Sequence, residues 1–273
     1  MEKGPFSFSD PKLLKARPMN RLPFLVVFQR SLICVATLTL TACANNQWGW
    51  YVLSPATETG AANMKFLLGG LRYTIALSFT AIAISVVVGL LVALPALSTN
   101  RYARLVNRLY VEIVRAVPIL VLILWVYYGL PVVAGLSITV FWAGVVALAL
   151  SDSAFQAEIF RAGIQSIARG QTEAAQSIGL SYTDTMRYVI LPQAIRRILP
   201  PLGNQLVYML KMSSLVSVIG MSELTRRANE LVVTEYRPLE IYTFLVIEYL
   251  ALILIVSAGV RWLERRMRSN ERE

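Results

Sequence analysis

Between Gly69 and Leu97 the chain runs for twenty-nine residues with a single charged side chain, Arg72. This exceeds the roughly 20 apolar residues that an α-helix needs to cross a bilayer. Lipid offers no partners to backbone N–H and C=O groups, so a continuous run of this kind reads as a helix. Its excess length predicts a tilt, or an interfacial start near 64–70. Five further apolar segments lie at about 22–44, 110–133, 138–160, 198–220 and 241–260. Together they predict an all-α membrane protein with six transmembrane helices. Composition agrees, at 56% apolar and 15% charged with a mean hydropathy of +0.58.

The net charge of +10 is explained by where the charges fall. With the N-terminus inside, the inner stretches 1–21, 98–109, 161–197 and 261–273 hold 18 of the 26 Lys and Arg residues. The outer loops 45–63, 134–137 and 221–240 hold three, all in the last, where four acids offset them. The bias places both termini in the cytoplasm and leaves no role for nucleic-acid binding. Trp48, Trp50 and Tyr51 suit the outer water–lipid interface. Leu40-Thr41-Ala42-Cys43 also fits a lipobox, but a polytopic chain needs no lipid anchor, so 22–44 is expected to stay as a first helix with Cys43 unmodified. The chain has no His, no CxxC pair and no phosphate-binding G-x-x-x-x-G-K-[ST] run. His-based catalysis or metal binding and ATP hydrolysis by this chain are thereby excluded.

The longest polar run between apolar regions is Gly170 to Asn204. Locally it reads as two short helices. Thr172 is expected to cap the first, with Glu173 in its first turn, where the positive helix end favours an acid. Gly179 suits the left-handed residue that closes a short helix. Ser181 and Asp184 have capping-box spacing for a second helix ending near Val189. Pro192 is expected to break the chain there, and Pro200–Pro201 again. The product is a polar knob that a soluble partner can grip.

Glu173-Ala174-Ala175, Gly179 and Val189-Ile190-Leu191-Pro192, at these spacings, resemble the EAA loop of ABC importer permeases; the family usually has Ile at the place of Val189. The continuation from Pro192 to Leu206 and the run Glu112–Pro131 resemble the polar amino-acid subgroup. The resemblance covers about 65–264. It implies a type I importer permease core of five helices plus one N-terminal helix. Residues 1–64 would hold the tail, first helix and outer loop, 165–197 the cytoplasmic EAA loop, and 265–273 a basic tail. It also implies partners: a cytoplasmic ABC ATPase dimer that binds ATP and Mg in place of this chain, a second permease subunit, expected to be different, and a periplasmic amino-acid-binding protein. Contact with the ATPase would fall on Glu173, Ala174, Ala175, Gly179 and Leu180. Substrates would be polar L-amino acids crossing the cytoplasmic membrane.

Polar residues within the apolar segments are candidates for the path, because charge at membrane depth is costly unless paired or facing water. Glu112 and Arg115, three apart, are expected to pair, and Pro118 to kink their helix. Glu158 is expected to pair with Arg161. The fifth segment carries Pro200, Pro201, Gly203, Asn204, Lys211, Ser213 and Ser214, and is expected to line the translocation path together with Met212, Asp152 and Glu248. Relatives in the resembled family commonly have Asp or Asn where Met212 stands, so this subunit is not expected to anchor a cationic side chain. Lys211 either meets a carboxylate on the substrate or pairs with Asp152 or Glu248. The alternative class is an ion-coupled secondary transporter using Asp152 and Glu248, although the inverted repeat common in such folds is not visible.

Overall fold

The computed structural model describes residues 49–98 and 100–268. The expected first helix at 22–44, the lipobox at Cys43, the tail 1–21 and residues 269–273 lie outside the described residues. A 3-10 turn, Trp50–Leu53, leads to α1, Glu58–Leu68, whose first turn is capped by Thr57 accepting from Gly60 N–H. Next come α2, Leu71–Ala96, and α3, Arg101–Ala116, capped by Asn100. Helix α4, Ile119–Ala134, is widened to a π-helix over Trp125–Gly129. Helix α5 is Val140–Gln165 and α6 is Arg169–Ser177. Helix α7 runs continuously over Tyr182–Ile219, followed by α8, Leu224–Glu235, and α9, Pro238–Arg268.

Among the described residues three helices are long and apolar enough to cross a membrane, α1–α2 as one unit, α5 and α9. The number rises to five if the bent pairs α3–α4 and α7–α8 each make one span. The expected kinked helix over 110–133 is instead two helices at 93°. Pro118 disfavours the α conformation at the residue before it, and Val117 is extended, with ψ 123°. Residues 110–116 therefore belong to α3.

Helix α2 buries Leu77, Ala81, Ser85, Gly89 and Ala93, one residue per turn, against α5. Small side chains at four-residue spacing let two helices approach closely, which is how helices associate where lipid removes the hydrophobic drive. At Gly89 a Cβ would collide with Cβ of Gln156 and lie 3.0 Å from the Ser153 carbonyl. Gly144, on α5, faces Val216 of α7 at 2.6 Å in the same sense. Three apolar clusters hold the remainder. One joins α2, α4, α5 and the C-terminal part of α7. A second joins α1, α7, α8 and α9 around Leu67, Leu210 and Ile241. The third lies beneath the 165–197 loop, where Phe160, Ile167, Ile190, Ala194 and Ile198 meet.

Candidate functional site

The loop is a closed knob. Helix α6 ends in paired bonds, Gly179 N–H to Gln176 O at 2.9 Å and Leu180 N–H to Ala175 O at 3.1 Å. This wrap needs a left-handed residue between them, and Gly179 supplies it with φ +86°. Ser181 Oγ then accepts from Asp184 N–H at 3.2 Å and donates to the Asp184 carboxylate at 2.6 Å. The knob is tied down at its back. Arg197 donates to the Ser166 carbonyl and hydroxyl, and Gln193 to Gln171.

Three local expectations change. Thr172 caps nothing, because α6 begins four residues after Gln165 at Arg169, with Ala168 at its cap position and no side-chain cap. Glu173 is consequently in the second turn. Pro192 and Pro200–Pro201 do not break the chain. A π-helical stretch, Thr185–Ile190, precedes Pro192, and this wider turn makes room for the ring and the missing donor. Pro200 and Pro201 sit inside α7, and Pro200 lines a cavity of about 620 Å³ with Arg196, Arg197, Gly203 and Val260. A break in the hydrogen-bond ladder at this depth is tolerated because it faces a cavity.

Of the residues assigned to partner contact, Glu173, Ala174 and Gly179 are exposed, and Leu180 is half-buried. Ala175 is buried at 4% exposure and belongs to the packing beneath the knob. The sequence did not single out Ile178 or Tyr182, which project at 79% and 68% exposure beside Gly179. Large apolar side chains this exposed mark a surface meant to be covered.

Within the spans, Asp152 is inside the chain rather than on an open face. It accepts from Ser85 of α2, from Gln156 at 2.8 Å and from Gln205 of α7 at 2.5 Å. These donors compensate its burial. Glu248 is buried in α9 without a hydrogen-bond partner among the described residues. Neither pairs with Lys211, which closes that alternative. Ser213 is buried and bonds back to Leu210 O, while Ser214 bonds to Lys211 O. Met212 is half-buried against the cluster of α2, α4 and α5. Asn204 and Lys211 are exposed, seven residues apart on one face of α7, with Tyr208 between them.

Tyr208 extends this face to two other helices. Its ring lies 6.5 Å from that of Phe155 on α5, and the Arg115 guanidinium stacks 4.8 Å from the Phe155 centroid. Arg115 thus meets an aromatic ring instead of the expected Glu112. The expected pair of Glu158 with Arg161 is formed. Phe155 and Tyr208 stand inside segments that read as spans, and no feature of the sequence separates them from ordinary core aromatics.

Residues 85–269 match the family of binding-protein-dependent transport system inner membrane components. The chain belongs to this family. The permease is 38% identical to the glutamine transport system permease protein GlnP of Escherichia coli (strain K12) over 223 residues, 81% of this chain and 99% of that protein. It is 35% identical to the arginine transport system permease protein ArtQ of Bacillus subtilis (strain 168), over 76% of this chain and 95% of that one. A solved amino acid ABC transporter with histidines superposes with a TM-score of 0.71 at 43% identity, covering 76% of the permease and 96% of that chain. The MetNI methionine ABC transporter shares the fold, with a TM-score of 0.65 at 21% identity. The permease is thus an all-α transport component of the membrane with an ABC importer fold, not an enzyme.

Proposed function

We propose that this permease forms half of the membrane path of an importer for polar L-amino acids. A second, different permease chain supplies the other half. A separate cytoplasmic ATPase dimer, which binds ATP and Mg, grips the 165–197 loop. A periplasmic amino-acid-binding protein delivers substrate from outside, and both termini are cytoplasmic. The observation that carries this reading is the knob, whose backbone bonds are satisfied internally while Glu173, Ala174, Ile178 and Tyr182 are presented outward. A nucleotide-driven partner needs such a preformed handle. The names of the glutamine and arginine relatives support the substrate class.

Mechanically, closure of the ATPase dimer on ATP displaces the two knobs, and the membrane helices follow as near-rigid bodies. Glu173 offers a charge-assisted contact, and Ala174 permits close approach of the partner. The test is purification through a tag on this chain, followed by uptake into liposomes. An ATPase and a second permease should co-purify, and uptake should require internal ATP and survive a protonophore. Uptake that a protonophore abolishes, with no ATPase bound, would instead establish an ion-coupled transporter.

A further inference from the structure

Helix α3 is unlike the spans around it. Its sixteen residues hold four arginines and one glutamate, too many charges for a helix that crosses lipid. It meets α4 at 93°, and Asn107 donates to the Val92 carbonyl at 2.6 Å, which fixes α3 across the last turns of α2. Val111 joins Ile167 and Ile190 in the cluster beneath the knob, so α3 sits at the knob's end of the spans. Helical spacing sorts its side chains onto three faces. Ala103, Asn107, Tyr110, Val111 and Val114 are buried or half-buried toward α2 and α5. Tyr102, Leu105, Val106, Leu109 and Ile113 form a second face, between 47% and 64% exposed. Arg101, Arg104 and Arg108 form the third, and line a groove of about 440 Å³ with Tyr102 and Leu105. Arg101 donates to the Tyr102 hydroxyl at 3.1 Å and Arg104 to the Ser98 carbonyl at 3.1 Å, while Arg108 has no ion pair among the described residues. Among the described residues no acid lines this groove. Glu112 and Glu158 line the adjoining recess, where Glu158 is taken by Arg161.

We propose that α3 lies in the membrane interface on the side of the knob, and that its arginine groove holds the phosphate of an anionic phospholipid. An apolar face this exposed is a surface meant to be covered. A helix with apolar side chains on one face and arginines along its edge lies in the interface plane, where anionic headgroups attract it. Helix α2, to whose end α3 is pinned, is a span that exposes Val87, Leu91 and Leu94 over its last turns, so acyl chains stand beside it. A protein partner would have to bring acids into register with three arginines. A phospholipid carries its phosphate at the end of its own apolar chains, and guanidinium forks suit phosphate. Tyr102, with the Arg101 guanidinium 5.0 Å from its ring centroid, marks the boundary between the two environments. The inference goes beyond the importer reading and is independent of it, since an ion-coupled transporter with this helix would hold the same lipid.

The experiment places a fluorescent label at Leu109→Cys, on the apolar face one turn from Leu105, in a chain whose Cys34 and Cys43 are replaced by serine. The complex purified through this chain is reconstituted into phosphatidylcholine vesicles that carry either spin-labelled phosphatidylglycerol or spin-labelled phosphatidylcholine, each labelled on its acyl chain. Quenching by the phosphatidylglycerol should be half-complete at about tenfold lower mole fraction, the order expected of two or three basic side chains at a membrane surface. Arg101→Gln combined with Arg108→Gln should bring the two lipids within about twofold of each other. Arg101→Lys combined with Arg108→Lys should keep most of the preference, which arginines with a merely structural role would not do. Equal quenching by the two lipids in the chain with all its arginines overturns the inference. Absence of quenching by either shows that protein covers the face, and overturns it too. Loss of the preference in the lysine pair as complete as in the glutamine pair shows that charge is not its cause, with the same consequence. If the glutamine pair fails to assemble, the comparison of the two lipids on the arginine-bearing chain still decides.

Discussion

Gln205 donates to Asp152 at 2.5 Å, joining α7 to α5 at a point where Ser85 also brings in α2. Three helices thus share one buried carboxylate. Asp152→Ala should leave the Gln156 and Gln205 amides without an acceptor and destabilise the complex by about 3 kcal/mol, whereas Asp152→Asn, which keeps one acceptor oxygen, should cost less. Thermal unfolding of the purified complex, followed by size-exclusion chromatography, reads this order. Equal midpoints for the two variants would show that the hydrogen bonds are not what holds the helices.

Gly89→Val should be the most damaging single change in α2. Its Cβ meets the Gln156 Cβ and the α5 backbone at Ser153 and Ala157, neither of which is the free end of a flexible chain. Separation of α2 from α5 should cost about 2–3 kcal/mol. Val87→Gly, on the exposed face of the same helix, should cost about 1 kcal/mol. Yields of folded complex in membranes distinguish the two.

Gly179→Val meets no neighbour, since nothing lies within 4 Å of a Cβ there. The cost is conformational only, about 1–2 kcal/mol for a side chain at positive φ. The variant should reach the membrane in near-normal amounts and lose amino-acid-stimulated ATP hydrolysis by its partner. Gly179→Asn, which tolerates the left-handed region, should retain most of it. Full stimulation with valine at this position would remove the wrap at Gly179 from the coupling mechanism.

Ile178→Ser and Tyr182→Ser should each weaken co-purification of the ATPase by about tenfold or more, because burying a large apolar side chain in an interface contributes about 1.5–3 kcal/mol. Both side chains are mostly exposed, so the melting temperature of the permease pair should hardly move. A drop in melting temperature with normal ATPase binding would contradict the assignment.

Single cysteines at Ile178 and Tyr236, both highly exposed, should label from opposite sides of the membrane. In intact cells with a permeable outer membrane, an impermeant maleimide should reach Tyr236→Cys and not Ile178→Cys. The reverse pattern would invert the orientation derived from the Lys and Arg distribution.

The long apolar helices and the knob were legible because their signals are local. Helix length follows from an apolar run, and the Gly179 wrap and the Ser181–Asp184 contact follow from residues within one turn of each other. What escaped was non-local. Pro118 announces a disturbance, but a 93° turn rather than a kink depends on what α3 and α4 pack against. Pro192 and Pro200–Pro201 were read as breaks, although a π-turn and an adjoining cavity absorb them. Arg115 had an acid three residues away and an aromatic ring on another helix, and spacing sees only the first. Asp152 and Glu248 looked alike as isolated acids in apolar runs, yet among the described residues one has three donors around it and the other none.

Helix α7 begins at the knob and ends past Lys211 without leaving helical geometry. From Tyr182 to Lys211 it spans about 40 Å at 1.5 Å per residue. It is therefore a lever arm. A tilt of about 10° set at the knob end would carry Lys211 sideways by about 7 Å over that length. That is comparable to the size of an amino acid, so a small displacement imposed at the knob suffices to change where the face carrying Asn204, Tyr208 and Lys211 points.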